Sequence, residues 1–239
     1  WTETLNFFDR YLKGENDVPT EKILYYYTMG AEEWRSTSVW PLDNTVTETW
    51  YLRASNSLST TAPTEGDARD TYAVDFTATT GTSTRWHTNE IIYSNRYEED
   101  QKLLTYTSQP LAEDMEVTGH PIVTLYVTST HTDGAFYVYL EDVSPSGRVT
   151  YITEGQIRAL HRKVSHDRAP YELPIPYHSF KEEDGELLVP GEIVELTFGL
   201  LPTSVLFKAG QRIRVAIAGD DAGLFARIPA TGDPMITVE

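Results

Sequence analysis

A serine hydrolase presents its nucleophile on a strained strand-to-helix turn with the pattern G-x-S-x-G. The nearest approach in this sequence is Gly81-Thr82-Ser83-Thr84-Arg85, which lacks the second glycine and has no helical periodicity after it. Ser83 therefore reads as part of a polar loop. A general base needs a nucleophile and an orienting acid within reach. Of the six histidines, His161 is followed by two cations, Arg162 and Lys163, and His120 precedes Pro121 as a turn residue opening a strand. His87, His131, His166 and His178 lie in no catalytic motif. The expectation is no catalytic residue in this chain.

Metal and cofactor signals are equally sparse. There is no H-E-x-x-H, no EF-hand loop and no glycine-rich phosphate cradle. Asp220-Asp221 and Glu141-Asp142 could share in a Ca²⁺ site, but they read first as solvated or turn-capping carboxylates, and Glu182-Glu183-Asp184 as a solvated loop. The expectation is no cofactor and no metal. Aromatic residues are the remaining handle. Trp86 stands in the polar stretch Thr84-Arg85-Trp86-His87-Thr88. An indole there either staples the loop to its own domain or meets a substrate or partner. Trp34 and Trp40 read as packing.

The elements that would position these residues are strands. Pro121–Ser129, Ala135–Val143, Glu192–Phe198 and Gln211–Ala218 all alternate with period two. Within Ala135–Val143, Phe136, Val138 and Leu140 share one face and Tyr137, Tyr139 and Glu141 the other, so one face is buried and the second is wet or covered. Lys22–Met29, Glu48–Arg53 and Thr71–Phe76 are further strand candidates. Ser144-Pro145-Ser146-Gly147 has the chemistry of a type I turn and joins Ala135–Val143 to Arg148–Ile157 as an antiparallel hairpin. Stretches 55–70, 77–90 and 160–190 read as long loops. No strand-helix-strand alternation appears, so the fold class expected is all-β, a jelly-roll sandwich.

One helix precedes the strands. Trp1, Leu5, Phe8 and Leu12 fall on one helical stripe, with Phe7 and Tyr11 off it, and Lys13-Gly14 is a stop signal. So apolar a helix needs a partner surface. Residues 15–20, with a proline among polar residues, mark a linker. The organisation expected is a terminal helix at 1–14, a linker at 15–20 and a β domain at 21–239.

Composition limits the partners. Nineteen basic residues against 36 acidic give a net charge of −17 in 239 residues. Such a surface repels phosphate backbones and anionic lipid, so neither nucleic acid nor membrane is an expected partner. The absence of cysteine removes disulfides, thiolate nucleophiles and Cys-ligated zinc. It leaves the compartment open, with the cytoplasm slightly favoured over secretion. The opening Trp-Thr-Glu-Thr has neither an initiator Met nor a signal-peptide pattern, which suggests a chain entered in mid-sequence.

An ordered set of short motifs resembles one family. Phe8-Asp9-Arg10-Tyr11-Leu12-Lys13-Gly14 is similar to the helix closing the α/β-hydrolase domain of the X-Pro dipeptidyl-peptidase and cocaine-esterase family of bacterial serine hydrolases. Met29-Gly30 through Trp34-Arg35, Leu104–Ser108, Glu116–Gly119, Thr132–Leu140, Gly155–Arg158, Leu201–Ser204 and Gly210–Val215 follow in the family's order. The resemblance implies a galactose-binding-domain-like jelly roll appended to a Ser-Asp-His hydrolase. The catalytic residues of such a parent would lie upstream of Trp1. It also implies that the jelly roll packs on the α/β-hydrolase catalytic domain of the same protein and helps wall the substrate pocket. By position, Arg85, Trp86 and His87 are the wall candidates. The chain alone would then be no enzyme, and its parent would be a peptidase, esterase or acylase. The family usually has a further strand after the Ile236-Thr237-Val238 run, so either the chain was trimmed or the sheet edge is left open. Two other readings stay open: a carbohydrate-binding module, and a structural domain forming a homo-oligomer through its apolar helix.

Overall fold

The computed structural model describes residues 1–15, 22–64, 66, 68–87 and 91–239. Most of the expected linker, residues 16–20, lies outside the described residues.

Helix α1 (Thr2–Phe8) runs into a wider π-turn at Asp9–Lys13, and the chain leaves it through Gly14 in the left-handed region at φ 75°. The Gly14 amide donates to the Arg10 carbonyl at 3.1 Å. A β-carbon would be strained in that conformation, which is why glycine stands at the stop. None of the helix residues is buried, and Trp1 is fully exposed.

Fourteen strands follow in chain order among the described residues. β1 (Leu24–Thr28) and β2 (Glu33–Thr37) form a hairpin. A six-stranded sheet contains β3 (Tyr51–Arg53), β4 (Ser57–Ser59), β6 (Leu104–Ser108), β9 (Ala135–Val143), β10 (Val149–Arg158) and β13 (Arg212–Ala218), in the order β10-β9-β13-β6-β4-β3. Its pairs are antiparallel except the short β4–β6 contact. The facing sheet takes β5 (Asp70–Ala73), β8 (Ile122–Ser129), β11 (Val194–Gly199) and β14 (Met235–Val238), in the order β11-β8-β14-β5. β7 (Met115–Gly119) pairs with β12 (Thr203–Phe207), to which the first hairpin is tied through Met29 and Val205. The molecule is an all-β jelly-roll sandwich with a short N-terminal helix.

Alternation decides the core. Phe136, Val138 and Leu140 of β9, Ile213 and Ile217 of β13 and Tyr106 of β6 meet Leu125 and Val127 of β8, Leu196 and Phe198 of β11 and Ile236 and Val238 of β14. The strand at Ile236-Thr237-Val238 is not an open edge. It is hydrogen-bonded to β8 on one side and β5 on the other, because residues 70–73 come back to pair with it. The first part of stretch 55–70 is likewise strand rather than loop, since Leu58 is drawn into the core. Trp34, expected to pack, is 73% exposed on β2, with its ring tilted against Tyr27 at 5.4 Å. Trp40 does pack, donating its indole N–H to His120 Nε2 at 3.0 Å.

At one edge the two sheets converge more closely than side chains allow. A β-carbon on Gly155 of β10 would sit 2.7 Å from the Gly199 carbonyl oxygen and 2.9 Å from Leu200 Cα. The same contact carries hydrogen bonds from the Leu201 amide to the Glu154 carbonyl (2.8 Å) and from the Thr153 hydroxyl to the Leu201 carbonyl (2.9 Å). Both obstacles are backbone, so the strands themselves would have to part. Gly155→Ala is therefore expected to lower stability by about 1–3 kcal/mol, read as a lower urea midpoint at an unchanged m-value. An unchanged midpoint would show that the sheets are free to separate there.

Candidate functional site

The second face of the six-stranded sheet is covered, not wet. Ala135, Tyr137 and Tyr139 of β9, Tyr151 of β10 and Ala216 and Ala218 of β13 form a second buried cluster, against which Leu103, Phe225 and Ile228 pack. The cover comes from residues 75–87 and 91–103 together with residues 219–228. They are tied to each other by the Ala222 amide on the Ala78 carbonyl (2.8 Å) and the Thr80 amide on Asp221 Oδ1 (2.8 Å). The first stretch is also sewn to β10, through the Arg96 amide on the Val149 carbonyl (3.0 Å) and the Val149 amide on Asn95 Oδ1 (2.9 Å).

Under this cover lie charges that the sequence reading placed at the surface. Glu141 and Asp221, read as solvated or turn-capping, are almost wholly buried, as is Asp220. Glu141 lies on the Tyr137-Tyr139 side of β9, and that side is roofed. Arg96 Nε donates to Glu141 Oε1 at 2.8 Å and lies 3.7 Å from Asp100 Oδ1, while its guanidinium sits 4.5 Å from the Tyr139 ring centre. Arg214 Nη1 holds the other Asp100 oxygen at 2.6 Å. Arg96 and Asp100, at the start of α2 (Tyr97–Asp100) and its end, belong to the cover, and Glu141 and Arg214 to the sheet. The ion cluster thus clamps one to the other. Asp221 does cap a turn: it accepts from the Thr80 amide, the Thr80 hydroxyl (2.7 Å) and the Tyr139 hydroxyl (2.8 Å). Burial and Asp221 hold the Tyr139 phenol well above its usual range, so it stays a donor.

The three wall candidates sit together in a turn at the end of this cover. Buried Thr84 organises it, its carbonyl accepting the His87 amide at 3.1 Å and its hydroxyl the Trp86 amide at 3.4 Å. Trp86 is 43% exposed, yet its position is fixed: its indole N–H donates to Glu154 Oε1 at 2.7 Å and its ring meets Phe225 edge-on at 5.5 Å. Arg85 Nε lies 3.5 Å from the same Glu154 oxygen, and its guanidinium is 5.7 Å from the Tyr151 ring centre. His87 is exposed. A cavity of about 10 Å³, room for about one water, lies beneath Trp86, lined by Tyr137, Tyr139, Tyr151, Phe225, Glu154 and Asp221 among others. Burial, reinforced by Asp221, pushes the Glu154 carboxyl up, while Arg85 and the indole pull it back.

Glu154 was missed in the sequence for a specific reason. Strict alternation puts Tyr151 and Glu154 on opposite faces of β10. The register shift between Tyr151 and Thr153 adds a residue, so Tyr151, Glu154 and Gln156 all line the cavity while Ile152 and Ile157 enter the main core. Elsewhere, His178 is buried between the carbonyls of Lys163 (3.1 Å) and Thr197 (3.0 Å), where it pins a loop. The Ser83 carbonyl accepts the Ile92 amide at 3.0 Å. Among the described residues no group of three His, Asp or Glu side chains could hold a metal ion.

Residues 16–237 match the family described as the X-Pro dipeptidyl-peptidase C-terminal non-catalytic domain. The chain belongs to that family. It is 49% identical over 233 residues, 95% of its length, to "Putative serine esterase Mb1866c" of Mycobacterium bovis, and 28% identical over 243 residues to the cocaine esterase of a Rhodococcus species. It spans only 37% and 39% of those proteins. Among solved structures, an aminopeptidase from a Thaumarchaeota archaeon superposes on 98% of the chain with a TM-score of 0.74 at 21% identity, and an α-amino acid ester hydrolase with a TM-score of 0.72 at 20%. The chain covers 41% of each. These last two likenesses show a shared fold.

The ion cluster sets a pH response. Burial, and next the neighbouring Asp100, push the Glu141 carboxyl well above the ordinary range against the pull of Arg96. Asp220, raised to about 6 by burial and then by Asp221, shifts the same way. An acid whose folded pKa is raised contributes stability that is full below its unfolded pKa and is lost as pH rises through the folded one. The melting temperature is thus expected to fall between about pH 5 and about pH 9. Glu141→Gln, neutral at every pH, is expected to flatten that fall. Equal slopes in the two proteins, followed by circular dichroism, would remove Glu141 as the source.

Proposed function

We propose that this domain packs on the α/β-hydrolase catalytic domain of a longer serine hydrolase and supplies part of its substrate-pocket wall, with Trp86 as the contacting ring and Arg85 and His87 beside it. One observation carries the reading: Trp86 is a large, half-exposed aromatic held by the buried Glu154 and the partly buried Phe225, rather than a ring spent on its own core. Rigid aromatic anchors lose little entropy on contact and dominate such surfaces. The domain divides at residues 15–20, and helix 1–14 is the terminal helix of the catalytic domain. Its exposed Leu5, Phe8 and Leu12 support this, since an apolar stripe this dense needs a partner. The parent hydrolyses esters or acyl amides, a reading supported by the esterases among the relatives.

In this arrangement the jelly roll performs no bond-breaking step. Its chemistry is to exclude water and orient the acyl or leaving group against Trp86. The 239-residue chain alone is expected to show no turnover of p-nitrophenyl esters above a buffer blank. Turnover that survives repurification and is blocked by a fluorophosphonate would sink the assignment. In the chain joined to its catalytic domain, Trp86→Ala is expected to lower kcat/KM about tenfold, roughly 1.4 kcal/mol of lost contact, mainly through KM. An unchanged kcat/KM would remove Trp86 from the wall.

A further inference from the structure

The pair formed by Arg85 and Glu154 is incomplete at both ends. Glu154 Oε2 is buried and has no hydrogen-bond partner, although the side chain is only 4% exposed. Arg85 Nε is also buried without a partner, since it stands at 3.5 Å from Glu154 Oε1, outside hydrogen-bond reach. Leaving a buried charged group half-satisfied is costly, and such atoms are uncommon in a native interior. Asp221, on the same cavity, differs: both of its oxygens are occupied by donors from Thr80 and Tyr139. Of the two acids on the cavity, only Glu154 therefore keeps an unfilled valence, and the residue lines a cavity walled by Trp86, Tyr137, Tyr139, Tyr151 and Phe225.

A carboxylate at the base of an aromatic box is the chemistry that recognises an ammonium group. Each ring face attracts a cation, and the carboxylate accepts its N–H donors. Its rings already face cations, since the Arg85 guanidinium lies toward the Tyr151 ring and Glu154 and the Arg96 guanidinium lies over Tyr139. Arg85 is too loosely held there to satisfy the site. An –NH₃⁺ head is about the size of the single water the cavity has room for, and it brings three donors, whereas Arg85 Nε stands 3.5 Å from Glu154 Oε1. The half-exposed edge of Trp86 marks the way out for whatever the head is attached to.

We infer that the cavity beneath Trp86 is a binding site for a primary ammonium group, anchored on Glu154 Oε2, with Arg85 as its internal placeholder. This activity belongs to the domain itself and goes beyond its role as a pocket wall, so the two stand or fall separately. The ligand head enters as Arg85 swings out, and the Trp86 indole keeps its bond to Glu154 Oε1.

The test is titration of the 239-residue chain with methylammonium chloride, following the Trp86 indole N–H resonance by NMR, with sodium chloride at matched ionic strength as the reference. The expected result is a saturable shift with a dissociation constant of roughly millimolar order, absent with sodium and absent in Glu154→Gln. A shift of the same size with sodium, or in a folded Glu154→Gln, would mean general screening of an acidic chain and would overturn the assignment. So would the lack of any saturable shift. Arg85→Gln gives an independent arm, because it removes the placeholder and leaves the carboxylate. Methylammonium is expected to bind that variant several-fold more tightly, and an equal or weaker affinity would overturn the placeholder role and the site with it.

Discussion

The structure depends on roofing a sheet face with loops and without a third sheet. β9, β10 and β13 are buried on both sides. One side meets the facing sheet through aliphatic and aromatic packing. The other carries Tyr137, Tyr139, Glu141 and Glu154 and is closed by irregular chain. Loops bring polar backbone with them, so this interface cannot be dry and apolar throughout. The solution is a clamp of paired charges, Arg96 and Asp100 from the cover against Glu141 and Arg214 from the sheet. Removing one member of a buried pair leaves an uncompensated charge and costs far more than the pair contributes. The cover is thereby tied to a single position, and the position of Trp86 follows from it.

The fold was largely legible because its signals are local. Alternation in residues 121–129, 135–143, 192–198 and 211–218 named strands that the structure has, and Pro145 and Gly147 named the hairpin between two of them. Gly14 ended the helix where its left-handed backbone requires glycine. Short strands escaped. Ser57–Ser59 has three residues, too few to show a period, and exists because Leu58 finds the core.

The site was only half legible. Trp86 drew attention as an indole in a polar loop, but its partner Glu154 was hidden by one extra residue in β10. Side chains alternate with period two, so a single insertion transfers every later residue to the other face. No alternation count can see a bulge whose cause is the pairing with β9. Glu141 did carry a readable signal. Two tyrosines sharing its face promised a cover more than water, and an acid in line with them had to be paired. The solvated reading treated Glu141-Asp142 as a unit, whereas neighbours in a strand point opposite ways.

Unsatisfied polar atoms gather mainly at the loop cover. Among the described residues, those buried without a partner are Arg85 Nε, Asp100 Oδ1, Glu141 Oε2, Glu154 Oε2 and Asp220 Oδ1, beneath or within the cover, and His120 Nδ1 and Asp142 Oδ1 outside it. The space between the two sheets is filled by apolar side chains. Asp100 Oδ1 and Glu141 Oε2 belong to the ion cluster built on Arg96 and Arg214. Glu154 Oε2 lies outside that cluster. Asp221, the other acid on its cavity, is fully occupied, and Arg85 stands too far away. Under its aromatic lid Glu154 thus keeps one carboxylate oxygen open. It lies below Trp86, a half-exposed ring held by Glu154 and Phe225, so the geometry and the missing partner together support the role proposed for the Trp86 turn.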